Sequence, residues 1–144
     1  RKKQEEQAVS ATYCEKIDNL LQQSDFVMVV VSLTPQTHKL IGKREMDLMK
    51  PVATLINISR GAVVDQGALA TALQTGFIRA AALDVTYPER VPRDHALLKL
   101  KNVLITPHLS MKTDKATYML TEEAAENNLA APNGLPIPSE VLPS

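Results

Sequence analysis

The run Phe26-Val27-Met28-Val29-Val30-Val31 restricts the fold more than any other stretch of the chain. It is apolar at every position, rich in valine, and bounded by Ser24-Asp25 and by Ser32-Leu33-Thr34-Pro35. A run this short cannot make a stable helix, and it shows no alternation, so it predicts a strand over residues 26–31 that is buried on both faces. Similar runs return at residues 53–58, 77–85 and 103–105, with centres near 29, 55, 81 and 104. That interval is about one strand-plus-helix unit, and parallel neighbours require such a crossover. Helical patterns fill the intervals. Gly42 precedes a short helix with Met46 and Met49 on one face. Asp65 is placed to N-cap a second, with Ala68, Leu69, Ala72 and Leu73 as its buried stripe and Gly76 where a left-handed C-cap belongs. The expected fold is α/β: about four parallel strands with flanking helices, the C-terminal half of a Rossmann-like doubly wound sheet.

Two further helices are expected outside this rhythm. Residues 9–21 can wind with Ile17, Leu20 and Leu21 on one face, and residues 113–130 form a long helix with Met119, Leu120, Ala124 and Leu129 as its apolar members. Residues 132–144 hold four of the nine prolines and cannot be regular structure. The 16 Lys+Arg balance 16 Asp+Glu, which argues against a nucleic-acid partner. No apolar stretch approaches the ~20 residues needed to cross a bilayer, so no membrane partner is expected. The single cysteine, Cys14, makes no internal disulfide and is read as a small filler residue, which points to a reducing compartment, the cytoplasm. His38 and His95 have no metal-ligand spacing, and no metal site is expected. The five methionines are read as core and helix-face residues.

Ligands of open parallel sheets bind at the carboxyl ends of the strands, so the residues after each run carry the candidate chemistry. Those stretches read Ser32-Leu33-Thr34-Pro35, Asn57-Ile58-Ser59-Arg60-Gly61, Asp84-Val85-Thr86-Tyr87-Pro88-Glu89 and Thr106-Pro107-His108-Leu109-Ser110. Taken singly, Arg60 could be a solvated surface cation, Asp84 a loop cap, Glu89 an exposed loop acid and His108 a structural histidine. As an ordered set they bring an anion clamp and an acid/base pair to one sheet edge.

The segments Ile56-Asn57-Ile58-Ser59-Arg60-Gly61-Ala62-Val63-Val64-Asp65, Ala82-Leu83-Asp84-Val85 with Pro88-Glu89, and Thr106-Pro107-His108 resemble the second half of the D-isomer-specific 2-hydroxyacid dehydrogenases. Within that family the likeness is greatest to the reductases of glyoxylate and hydroxypyruvate, and it runs from about Leu20 to the C-terminus. The resemblance implies a small 2-keto or 2-hydroxy acid as substrate and NADPH or NADH as cofactor. It implies that Arg60 holds the substrate carboxylate, that His108 donates the proton, and that Glu89 keeps His108 charged. It also implies that Ser32, Ile58, Arg60, Asp84 and Ser110 line the cofactor's path. These roles are chemically coherent. An Arg fork holds a carboxylate by two parallel hydrogen bonds, and a nearby ionised carboxylate favours an imidazolium able to donate to a developing alkoxide.

By the same resemblance residues 1–110 are part of an NAD(P)-binding domain, and residues 111–144 are a helix and tail that return to a substrate domain. The resemblance also implies a homodimer for the full-length family enzyme. The G-x-G-x-x-G turn that cradles pyrophosphate is absent, since the glycines at 42, 61, 67, 76 and 134 are never two apart. Arg1-Lys2-Lys3 has two readings, a frayed basic terminus or cations for a 2′-phosphate. Other positions depart from the family pattern. Arg90 replaces a proline after the glutamate, Gly67 an acidic or polar residue, Ala96 a proline, and Ser110 a glycine beside the histidine. Gly67 should weaken its helix by up to ~1 kcal/mol, Ser110 should crowd the nicotinamide, and Arg90 should oppose the charge of Glu89. A truncated or degenerate, non-catalytic pairing module is therefore the alternative to an active reductase.

Overall fold

A computed structural model describes residues 9–140. Arg1-Lys2-Lys3 and the segment up to Ala8 lie outside the described residues, as do the last four. The chain divides into two compact units, Arg1–Pro107 and His108–Ser144.

The first unit contains helix α1 (Ile17–Gln23), strand β1 (Phe26–Val29), helix α2 (Lys43–Leu48), strand β2 (Thr54–Asn57), a 3-10 turn (Gly61–Val63), helix α3 (Gln66–Gln74), strand β3 (Ala80–Leu83), a second 3-10 turn (Ala96–Lys99) and strand β4 (Val103–Ile105). The strands form one parallel sheet in the order β1-β2-β3-β4. Val27, Leu55, Ala81 and Val103 align across it, as do Val29, Asn57, Leu83 and Ile105.

This order explains which face is buried. Each strand is laid beside its predecessor in the same direction, and right-handed crossovers then put every connecting helix on the same side. Met46 of α2 and Leu69, Ala72 and Leu73 of α3 accordingly pack with Val27, Val29, Leu55 and Leu83 in a single core. Leu97 of the second 3-10 turn joins them. The expectation that residues 26–31 are buried on both faces is not met: Phe26 is 65% exposed, Met28 57% and, across the sheet, Leu104 62%. The strand also ends at Val29, leaving Val30 and Val31 in the loop beyond it. An unbroken apolar run reports hydrophobic demand on both faces, but winding in one direction covers only one.

Local signals behave as their chemistry requires. The Asp65 carboxylate accepts the N–H groups of Gly67 and Ala68, both at 3.1 Å, and caps α3. Gly76 has φ +74° just past the end of that helix, a conformation glycine adopts without Cβ strain. Glu45 accepts the Gly42 N–H at 3.1 Å at the start of α2, and Met46 and Met49 are buried. The expected helix over residues 9–21 begins only at Ile17. Val9 and Tyr13 are exposed and Ser10 has φ +53°, so the preceding segment has no apolar stripe to stabilise a marginal helix. Leu21 is fully buried, whereas Leu20, expected beside it, is exposed. Cys14 therefore lies in irregular chain, half-buried.

The second unit is dominated by helix α4 (Asp114–Ala130), which runs into a 3-10 turn (Ala131–Asn133). Thr113 caps α4 by accepting the Ala116 N–H at 3.2 Å. The tail folds back on its own helix: the Ser139 N–H donates to Asn127 Oδ1 at 3.2 Å, and its hydroxyl bonds Glu123. Met119, Leu120 and Leu129, the apolar members of α4, are exposed, and so are Met28 and Met111. Among the described residues no helix is long and apolar enough to cross a membrane, and no cluster of three or more His, Cys, Asp or Glu could hold a metal ion.

Candidate active site at the strand ends

The first wall of the site follows β1. Thr37 pins this loop, its hydroxyl donating to the Ser32 carbonyl at 2.7 Å and accepting the Thr34 N–H at 2.7 Å. The His38 N–H closes the turn onto the Thr34 carbonyl at 3.0 Å. Ser32 is thereby held at the mouth of the sheet.

The second wall follows β2, and Asn57 organises it. This residue ends the strand on the covered face at 1% exposure, where an unpartnered amide would be costly. Its Oδ1 accepts both the Ser59 N–H at 3.0 Å and the Ser59 hydroxyl at 2.9 Å, and its Nδ2 donates to the Arg60 carbonyl at 3.1 Å. The turn is fixed by these three bonds, with Ser59 inward and Ile58 and Arg60 outward. Arg60 Nη1 donates to the Ser59 carbonyl at 2.7 Å, which orients the guanidinium and leaves its remaining N–H donors for a ligand. Ser32, Ile58 and Arg60 line one cleft of about 500 Å³ together with Val30 and Leu33. A smaller groove between α2 and α3 lies away from the strand ends, and its charged groups, Lys43 and Asp47, pair with each other at 2.5 Å.

After β3, Asp84 is buried, its N–H donating to the Asn57 carbonyl at 3.0 Å and its Oδ1 accepting the Thr106 hydroxyl at 2.5 Å. The chain then passes over Gly61. A Cβ at Gly61 would stand 2.6 Å from Tyr87 N and closer still to the Thr86 carbonyl, so only glycine admits this approach. Thr86 donates its hydroxyl to the Pro88 carbonyl at 3.0 Å. The Gln66 side chain bonds the Tyr87 main chain twice, accepting its N–H at 2.9 Å and donating to its carbonyl. Glu89 follows on the exposed part of this loop, outside the Arg60 cleft. Arg90 has φ +67°, which a proline cannot adopt. Replacing it by the family's proline would therefore remodel the loop as well as remove the charge.

His108 and Ser110 belong to the second unit, and both are exposed. His108 has φ +54°. Histidine is among the side chains that tolerate the left-handed region, and non-glycine residues held there concentrate at functional positions.

Asn57 was visible only as a polar residue interrupting an apolar run. Gln66, Thr106 and the close approach at Gly61 had no signal in spacing, because their partners lie 20 or so positions away in sequence.

A four-stranded parallel sheet with cationic, acidic and hydroxyl groups gathered at its carboxyl edge defines an α/β protein of the ligand-binding, strand-end class. Residues 1–110 match the model of the D-isomer specific 2-hydroxyacid dehydrogenase, NAD binding domain, and the chain belongs to that family. It is 45% identical over 129 residues to the glyoxylate/hydroxypyruvate reductase B of Pectobacterium atrosepticum, covering 90% of this chain and 40% of that protein. It is 48% identical over 122 residues to the human glyoxylate reductase/hydroxypyruvate reductase, covering 85% of this chain and 37% of that protein. Among solved structures, the NAD-complexed form of a D-isomer specific 2-hydroxyacid dehydrogenase from Lactobacillus delbrueckii ssp. bulgaricus superposes with a TM-score of 0.78 at 33% identity, over 87% of this chain and 42% of that one. The chain thus spans about two fifths of the length of the relatives it matches.

Proposed function

We propose that this chain carries the substrate- and nicotinamide-facing part of an oxidoreductase that uses NADPH or NADH to reduce small 2-keto acids such as glyoxylate and hydroxypyruvate. The observation that supports this most is Arg60, exposed beside Ser32 and Ile58 on a turn held by the buried Asn57. Its unspent N–H donors suit a carboxylate fork, and no apolar substrate would need one.

The residues present suit the nicotinamide end of the cofactor. The cleft has a mixed lining, with Val30, Leu33 and Ile58 beside Ser32 and Arg60, and Thr106 sets the direction of the buried Asp84 carboxylate. When bound, the cofactor supplies hydride to the substrate's carbonyl carbon. Arg60 fixes the carboxylate end of the substrate, which leaves the carbonyl in one orientation. His108 is the proton donor to the carbonyl oxygen as negative charge develops there, and Glu89 is its carboxylate partner. Ser32, Ile58, Asp84 and Ser110 would line the path of the bound cofactor. Residues 1–110 are assigned as part of the NAD(P)-binding domain and residues 111–144 as the helix and tail serving a substrate domain. The full enzyme is taken as a cytoplasmic homodimer.

The test is a fluorescence titration of the purified chain with NADPH and with NADH, in the presence and absence of glyoxylate or hydroxypyruvate. Saturable binding that Arg60→Ala abolishes for the keto acid supports the reading, and turnover extends it to catalysis by this polypeptide. No binding at millimolar cofactor by a chain shown by circular dichroism to be folded favours the non-catalytic pairing module. That outcome would accord with the missing G-x-G-x-x-G turn.

A further inference from the structure

The structure assigns Gln66 as a positioning residue that holds the Glu89-bearing loop against the Arg60 turn through the main chain of Tyr87. The inference rests on the reading above for the importance of Glu89 and Arg60, but its geometry lies wholly within the first unit.

Gln66 opens α3, one residue after the Asp65 cap. Its position is therefore set by two interactions that do not involve the loop: the Asp65 bonds to Gly67 and Ala68, and the Lys39 Nζ to Asp65 Oδ2 ion pair at 3.0 Å. From this anchored start the side-chain amide meets Tyr87 with complementary polarity, donor to carbonyl and acceptor to N–H. A primary amide satisfies both main-chain groups at once, as a neighbouring strand would. Glutamate offers the acceptor alone, and an apolar side chain offers neither.

Two further features make the loop respond as a unit. Thr86 is tied to the Pro88 carbonyl, so displacement of Tyr87 carries Pro88 and Glu89 with it. Gly61 leaves the loop no room to move inward, because its Cα side is already filled by Thr86 and Tyr87 main chain. Gly61 thus sets how near the loop can come to the Arg60 turn, and Gln66 stops it from leaving. Arg60 and Gly61 are adjacent, so the same contacts relate the substrate-holding cation to the Glu89 loop. The role is indirect, since the hydrogen bonds of the Gln66 amide go to the Tyr87 main chain and reach the site only through the loop.

The test compares wild type, Gln66→Met, Gln66→Glu and, as a control elsewhere on α3, Thr71→Ala, using the full chain. Amide hydrogen exchange and 1H–15N shifts are read at Tyr87 and Glu89 and at residues 60–63, with thermal unfolding measured in parallel. Gln66→Met should raise Tyr87 exchange by roughly tenfold or more and shift the Glu89 resonance, because local opening loses two hydrogen bonds. Gln66→Glu should recover part of the Tyr87 N–H protection through its retained acceptor. Unchanged Tyr87 exchange in Gln66→Met overturns the assignment, as does an equal effect of Thr71→Ala or a loss of protection spread evenly through the core. Glyoxylate affinity is measured on the same samples. If wild type does not bind glyoxylate, the substrate reading fails while exchange still decides the role of Gln66. If wild type binds and Gln66→Met binds equally well despite a loosened loop, Gln66 does not position the site.

Discussion

Gly61→Ala isolates the one place where the site depends on the absence of a side chain. The added Cβ would lie 2.6 Å from Tyr87 N and closer still to the Thr86 carbonyl, whereas ordinary contact begins at 3.4 Å, so the two main chains must part by well over the 0.8 Å that Tyr87 N alone requires. Both obstacles are backbone, and neither can rotate away. Overpacking of this kind costs ~1–3 kcal/mol. The displacement also strains the Gln66 bonds to Tyr87, each worth ~1 kcal/mol. Reduced freedom of the unfolded chain returns ~0.4–1 kcal/mol. The net destabilisation is roughly 2–3 kcal/mol, or a fall in Tm of about 6–12 °C for a chain of this size. Gly67→Ala supplies the control. Its Cβ would meet only Asp65 Oδ1 at 3.4 Å, so the gain in helix propensity of up to ~1 kcal/mol should raise Tm. Urea and thermal unfolding followed by circular dichroism measure both. A Gly61→Ala chain as stable as wild type, with Gly67→Ala behaving as expected, would refute the steric argument.

Asn57→Ala should cost roughly 2–4 kcal/mol, because it orphans the buried Ser59 hydroxyl and the Ser59 N–H and removes one of the two hydrogen bonds to the Arg60 carbonyl; urea unfolding measures the loss, and keto-acid affinity should fall with it. The Asp65 carboxyl is held below its ordinary pKa, chiefly by the Ala68 N–H and then by Lys39. A depressed folded-state value stabilises above the unfolded pKa and is lost as pH falls through the folded one. Asp65→Ala should therefore cost about 1 kcal/mol at neutral pH, and its deficit relative to wild type should shrink below about pH 4; a deficit that does not change with pH would exclude the carboxylate as its source. At Arg90, the left-handed backbone predicts that glycine is neutral or stabilising by up to ~1–2 kcal/mol and that proline destabilises, which thermal unfolding of the two variants distinguishes.

The sheet, both crossover helices, the Asp65 cap and the Gly76 C-cap were legible in the chain because each depends on residues within a few positions of one another. Hydrophobic period, β-branching and turn chemistry are local properties. Arg60, Asp84 and Glu89 could be assigned to the strand-end loops for the same reason, since each lies within a few residues of an apolar run.

What the sequence could not determine is set by separation along the chain. Burial of one sheet face follows from the direction in which successive strands are added, a property of the whole winding. The short first helix reflects packing that residues before Ile17 do not find. Asn57 satisfying the turn beneath Arg60, Thr106 directing Asp84, and Gln66 and Gly61 confining the Glu89 loop were decided only by the tertiary structure. Each such group gains a partner only once neighbouring strand ends or their loops meet, and a buried polar atom that failed to do so would make the same backbone path costly.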